Sequence, residues 1–231
     1  AYLQEDLGDS VLFDMKDEAL LVKTMSMLPK IQFEGAQGLD FSVCYPQPSF
    51  DRRMVLFDLN YFKYCFLRTT SVAYDEVALE HDFKRFAEDL VACATASKHV
   101  TFLYRDFQAR NVMLKEGTPY FIDYQGGMKG PLHYDVASFL WQASARYPDH
   151  LRQEMVDVYL DALEDLIDVD RLKFKTDLMR FVLFRSALVK LWRRLSRSLA
   201  LVMFTMLSTN SRASLRMSAN GLRRILCRSS R

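Results

Sequence analysis

Only four cysteines and four histidines occur in the 231 residues. Cys44, Cys65, Cys93 and Cys227 form no C-x-x-C pair and have no histidine at ligand spacing, so neither a zinc site nor a redox motif is encoded. His81, His99, His133 and His150 share no spacing and read as surface or core side chains, not ligands. Long apolar runs are missing as well. Leu199 to Leu207 is the longest strongly apolar stretch, far below the roughly 20 residues that a membrane helix needs. No transmembrane segment is therefore expected, and the opening residues lack the pattern of a signal peptide. These absences predict a soluble protein of the reducing cytoplasm. The 31 basic and 29 acidic side chains nearly cancel, so net charge gives no reason to expect nucleic acid as a specific partner. Acid is also unevenly spread: Asp177 is the last acidic residue, and twelve Arg and Lys follow it.

What is present is enough apolar material for a substantial core, since half the positions are hydrophobic. Asp14 is placed to cap a helix carrying Leu20, Leu21, Met25 and Leu28 that stops before Pro29. Gln32 to Arg53, with Gly35, Gly38, Pro46 and Pro48, reads as a loop. The aromatic cluster Phe57, Tyr61, Phe62, Tyr64 and Phe66 reads as core packing, with a sugar-stacking platform as the alternative. Asp58 and Asn60 suit either a polyol ligand or the cap of a helix beginning near Tyr61. Leu79, Phe83, Phe86, Leu90 and Cys93 recur at three- and four-residue intervals and predict an amphipathic helix from about Asp75 to Ser97. Val100 to Tyr104, Asn111 to Leu114 and Pro119 to Ile122 read as short strands, with a hairpin turn at Lys115 to Thr118. Helical spacing returns after Asp135, with Phe139, Leu140 and Ala143, then Met155, Val158, Tyr159 and Leu163.

The chemistry concentrates around the hairpin. Asp106 stands just before its first strand, Asn111 at the start of that strand, and Asp123 just after its second. A hairpin returns the chain, so the loop preceding one strand lies near the loop following the other. The three side chains can therefore converge. Phosphoryl transfer asks for this set: a carboxylate to orient and deprotonate a hydroxyl, and hard oxygen ligands for magnesium.

Asp106 and Asn111 at D-x4-N spacing, Ile122-Asp123 beyond them, the continuation Tyr124-Gln125-Gly126-Gly127 and the later Tyr134-Asp135-Val136-Ala137-Ser138 resemble aminoglycoside phosphotransferases and choline kinases. The resemblance implies an α+β, protein-kinase-like C-terminal lobe, mostly helical with a short catalytic hairpin. It further implies an ATP- and Mg2+-dependent enzyme acting on a hydroxyl of a small polar metabolite. Within it, Asp106 would be the catalytic base, Asn111 and Asp123 the magnesium ligands, and Asp135 a support of the catalytic loop. The opening Leu3 to Gly8 resembles the hinge between two lobes, which puts Gln4, Glu5 and Asp6 beside adenine. Phe57 to Tyr64 together with Asp106 to Asn111 looks closest to bacterial kinases of cell-wall amino sugars.

The sequence departs from that pattern at Tyr104, where the family usually carries His, and in having no Gly-rich loop or strand lysine ahead of the hinge. The expected organisation is a hinge remnant over residues 1–8, a kinase-like large lobe over 9–185 and a basic helix and tail over 186–231. An N-terminal lobe would be missing and the isolated chain catalytically silent. A non-catalytic binding lobe and a protein kinase fragment are the rival readings. For the tail, a change of reading frame upstream is an alternative origin of the shift in composition.

Overall fold

Each long helix begins at an aspartate or a proline that sets its entry. Asp17 accepts hydrogen bonds from the backbone N–H groups of Ala19 (2.8 Å) and Leu20 (3.4 Å) and opens α1, Glu18–Glu34. Asp51 caps α2, Arg52–Cys65, through Met54 N–H at 2.8 Å, and Asp75 caps α3, Glu76–Thr95, through Ala78 N–H at 2.8 Å. The computed structural model describes residues 5–15, 17–96, 98–142 and 144–188. Gln4 and the tail beyond Leu188 lie outside the described residues.

Four expectations for this half of the chain are corrected. Asp14 does not cap α1: it sits in a turn whose N–H donates to Val11 O, and Asp17 takes the capping role. The helix also does not stop at Pro29 but runs through it to Glu34. An interior proline forfeits one helical hydrogen bond and strains the preceding turn, yet Met25, Leu28, Pro29 and Gln32 are all buried on one face, against α5 and the strands. Tertiary burial outweighs the local break. The aromatic cluster is split: α2 buries Met54, Val55, Leu59, Phe62 and Lys63, which places Phe57, Tyr61 and Tyr64 on its exposed face. Asp58 and Asn60 are interior to α2, not at its start. The buried Lys63 ammonium is matched by Glu76 at 2.7 Å and Glu80 at 2.9 Å on α3, tying the two helices together.

α3 buries Leu79, Phe83 and Leu90 of the predicted stripe together with Ala87, whereas Phe86 and Cys93 are only half-buried. Four short strands follow: β1 Phe102–Leu103, β2 Val112–Lys115, β3 Thr118–Phe121 and β4 Met128–Lys129. They form two antiparallel pairs, β2 with β3 in the register Val112 to Phe121 and β1 with β4 in the register Leu103 to Met128. The β2–β3 turn uses Glu116 (φ 50°) and Gly117 (φ 69°), and two successive left-handed residues match the twist of a two-residue hairpin. Residues 10–12 run along β2, with Leu12 N–H donating to Val112 O at 2.9 Å and Leu114 N–H to Ser10 O at 2.9 Å.

The remainder is helical: α4 Leu132–Leu140, α5 Asp149–Glu164 and α6 Arg171–Leu188. α4 is buried along almost its whole length, packed among β1, α5 and α6, while α5 lies on α1. The architecture is thus mostly helical with small antiparallel strands, and the strands carry the loops 104–111 and 122–127 on a helical base.

Candidate active site

Asp135 organises the loop that holds Asp106. It is fully buried near the start of α4, and its carboxylate accepts from Tyr104 N–H (Oδ2, 2.9 Å), Arg105 N–H (Oδ1, 2.9 Å) and Gln32 Nε2 (Oδ2, 3.3 Å). Those bonds hold Arg105 in the left-handed region, φ 75°, a conformation that a long side chain seldom adopts. The turn so formed delivers Asp106 to the surface as an exposed carboxylate. Burial raises the Asp135 carboxyl to about 6, and the two backbone N–H groups, Gln32 and Arg185 act in the opposite direction. The far end of the same loop is held by buried Gln142, which accepts from Ala109 N–H at 3.4 Å.

Asn111 links this loop to the next. Its Nδ2 donates to the backbone oxygen of Asp106 at 2.9 Å and to Asp123 Oδ2 at 3.3 Å, while its own backbone oxygen accepts from Ile122 N–H at 3.1 Å. Asp123 lies at φ 72°, a left-handed position that aspartate tolerates better than most residues, and Gln125 Nε2 donates to its Oδ1 at 2.6 Å. Half-buried Asn111 therefore ties the backbone of exposed Asp106 to the exposed carboxylate of Asp123, eighteen positions from end to end in the sequence.

That donor set suits magnesium. With both amide hydrogens of Asn111 engaged, its remaining polar atom is the amide oxygen, and the neighbouring Asp123 carboxylate adds hard anionic oxygens. Among the described residues no group of three or more His, Cys, Asp or Glu side chains is gathered for a metal. A nucleotide's phosphate oxygens and water are the usual completion of so sparse a magnesium site.

Tyr104, in the place where histidine was expected, is built into the loop. Its ring is buried and meets Phe107 edge-on at 5.5 Å, and its hydroxyl donates to the backbone oxygen of Ile122. Burial first, and then the nearby Asp135, raise the phenol far above its ordinary range, so it stays a neutral donor. Behind Asp123, Gly127 is needed for close approach: a Cβ there would come within 2.2 Å of the Phe102 ring. A largely apolar cavity of about 460 Å³ adjoins this loop, lined in part by Tyr45, Phe102, Tyr104, Tyr124, Gln125 and Gly127.

Of the residues placed beside adenine, Glu5 and Asp6 lie next to β2, where Lys115 Nζ bonds Glu5 Oε1 at 2.6 Å and Asp6 O at 3.2 Å. Gln4 is outside the described residues. Arg110 stacks on the Phe13 ring at 4.1 Å. Asp58 is half-buried on α2, where burial raises its carboxyl and the charges of Arg105 and Arg185 counter that rise. Sequence reasoning missed Gln32, Tyr159 and Arg185. Gln32 was legible in principle, as a polar residue in phase with Met25, Leu28 and Pro29 on the buried face of α1.

Residues 46–174, more than half of the chain, match the family model for the phosphotransferase enzyme family, APH. The chain belongs to that family. This phosphotransferase-family chain is 26% identical over 147 residues to the N-acetylmuramate/N-acetylglucosamine kinase of Neisseria meningitidis, covering 62% of this chain and 40% of that protein. It is 36% identical over 67 residues to the N-acetylmuramate/N-acetylglucosamine kinase of Pseudomonas aeruginosa, covering 29% and 20%. It therefore spans less than half the length of these curated relatives. Among solved structures, a choline kinase from Cryptosporidium parvum superposes with a TM-score of 0.54 at 12% identity, over 80% of this chain and 61% of that one. An ethanolamine kinase from Plasmodium vivax does so with 0.53 at 12% identity, over 87% and 63%. At that identity the likeness concerns the fold, and it agrees with the kinase-like, mostly helical architecture.

Proposed function

We propose that this chain supplies the catalytic lobe of an ATP-dependent kinase that transfers the γ-phosphoryl group to a hydroxyl of an amino sugar. The observation that carries the reading is the Asn111 amide, which joins the backbone of Asp106 to the Asp123 carboxylate and so unites a hydroxyl-facing and a metal-facing carboxylate in one site. Choice of acceptor follows the two relatives, both kinases of N-acetylated amino sugars.

In this scheme Asp106 accepts the proton of the acceptor hydroxyl and aims the oxygen along the line of transfer. Asn111 and Asp123 would hold magnesium, which neutralises charge on the phosphate oxygens when bound. Asp135 keeps the Asp106 turn in a conformation that it would otherwise leave, so orientation is set before substrate arrives. Glu5 and Asp6 belong to the expected adenine-binding hinge. The 231 residues contain no Gly-rich loop or strand lysine ahead of that hinge. The reaction places the enzyme where its nucleotide and sugar are found, in the cytoplasm. Among the described residues no helix is long and apolar enough to cross a membrane.

The test is ATP-dependent product formation with N-acetylglucosamine, N-acetylmuramate, choline and an aminoglycoside, followed by 31P NMR. It should be run on residues 1–231 and on the longest product of the gene that contains them. Phosphorylation confined to the two sugars supports the reading. Transfer to choline or the aminoglycoside alone contradicts the choice of acceptor, and no transfer by either protein contradicts the proposed enzyme.

A further inference from the structure

We infer that Gln32, oriented by Tyr159, is a positioning residue that fixes the Asp106 loop by acting through Asp135. This rests on the kinase reading for its functional meaning, but the physical link it asserts is independent of that reading.

Gln32 sits on α1, Tyr159 on α5 and Asp135 on α4, so three helices meet at one buried polar point. All three side chains are fully buried. Gln32 Nε2 donates to Leu132 O at 3.2 Å and to Asp135 Oδ2 at 3.3 Å, while its Oε1 accepts from Tyr159 Oη at 2.7 Å. The amide is thereby used at both ends, and Tyr159 decides which end faces Asp135. Were the amide flipped, its oxygen would confront the carboxylate and its NH2 the tyrosine oxygen, losing the present donor and opposing two acceptors. Tyr159, whose hydroxyl burial keeps neutral, cannot lose that proton at ordinary pH.

Asp135 in turn holds Tyr104 N–H and Arg105 N–H, and Arg105 is the left-handed residue immediately before Asp106. A chain of hydrogen bonds thus runs from Tyr159 through Gln32 and Asp135 to the backbone that aims Asp106. A half-satisfied buried network is worse than none, so removal of one member is felt at the others. Charge on the buried carboxylate is supported by the Gln32 N–H, by the loop's two N–H groups and by Arg185 on α6. It is opposed by desolvation. Tyr134, adjacent to Asp135 on α4, and Tyr104 from the loop are both held neutral by burial.

The backbone amide protons of Tyr104 and Arg105 report on this link directly, because an N–H bonded to a carboxylate changes its NMR shift when the carboxylate is protonated. In the unmodified chain both should titrate together with a midpoint of about 6. Gln32→Met, close in volume but without the donor, should raise that midpoint by roughly one pH unit, as expected for loss of a charge-assisted hydrogen bond. Tyr159→Phe should raise it by less, and the double variant should match Gln32→Met alone, since both act on one bond. Met25→Val, a cavity on the same helix face, should lower the melting temperature without moving the midpoint. If Gln32→Met and Tyr159→Phe leave the midpoint where it was, the two side chains merely pack and the inference fails. A midpoint equally displaced by Met25→Val also overturns it. None of these readings needs turnover, so an inactive protein would contradict the proposed enzyme and leave this link to be judged by the titration.

Discussion

The Tyr104 hydroxyl donates its hydrogen bond to the backbone oxygen of Ile122, the residue directly before Asp123. Tyr104 also leads into the Asp106 turn through its N–H bond to Asp135. Tyr104 therefore adds a second tie, beside that of Asn111, between the loop carrying Asp106 and the loop carrying Asp123.

Tyr104→Phe should keep the ring packing and lose only that tie. The expected outcome is a stability loss of about 1 kcal/mol, the size of one net hydrogen bond, together with weaker magnesium dependence of nucleotide binding. Urea denaturation and calorimetry at several magnesium concentrations measure the two effects. Tyr104→His should recover part of both if the imidazole reaches Ile122 O.

Asp135 gives a pH signature of unusual sign for a carboxylate. Its folded-state value of about 6 lies above the ordinary 3.8, so the folded protein holds the proton over a range where the unfolded chain has released it. Its contribution to stability is therefore fully present below about 4 and declines as pH rises to about 6, by roughly 3 kcal/mol in total. Asp135→Asn removes that decline and also leaves one loop N–H without an acceptor. The variant should be less stable than the parent, with a deficit that is largest near pH 4 and narrows toward pH 7. Melting temperatures across that range provide the check, and a deficit that widens with pH contradicts the burial argument.

Much of the site was legible because it is local. Asp106, Asn111 and Asp123 flank one hairpin, and strand alternation with a two-residue left-handed turn at Glu116 and Gly117 is enough to bring them together. α3 was legible for the same reason, its stripe from Leu79 to Leu90 being periodic without interruption. What escaped is long-range. The continuation of α1 through Pro29 depends on burial against α5, more than a hundred residues away, and Gln32 finds Asp135 and Tyr159 at separations of 103 and 127 residues. The exposure of Phe57, Tyr61 and Tyr64 follows from which face of α2 the Lys63 pairing and Leu59 turn inward, a choice that aromatic content alone does not disclose.

Gly127 offers a steric test of the Asp123 loop. Gly127→Ala would set a methyl carbon against the Phe102 ring, and overpacking of this kind costs about 1–3 kcal/mol. Adding Phe102→Leu should return part of the loss. A Gly127→Ala variant as stable as the parent would mean that the loop yields freely and does not hold Asp123 in place.

At the proposed metal site, Asp123→Ala should abolish the magnesium dependence of nucleotide binding, because it removes that site's carboxylate and leaves only the neutral Asn111. Calorimetric titration of nucleotide with and without magnesium gives the answer. An unchanged response to magnesium would remove Asp123 from the metal site.

The central claim is that Asp106 handles the acceptor's proton while other residues hold the nucleotide. The most direct measurement compares Asp106→Asn with the parent in the longest gene product containing these residues, following both ATP affinity and transfer to N-acetylglucosamine or N-acetylmuramate. The nearly isosteric amide cannot take the hydroxyl proton, so transfer should fall by about 10²–10⁴-fold while ATP affinity changes little. Transfer that survives Asp106→Asn within a few-fold, or ATP binding lost in parallel with it, would contradict the account.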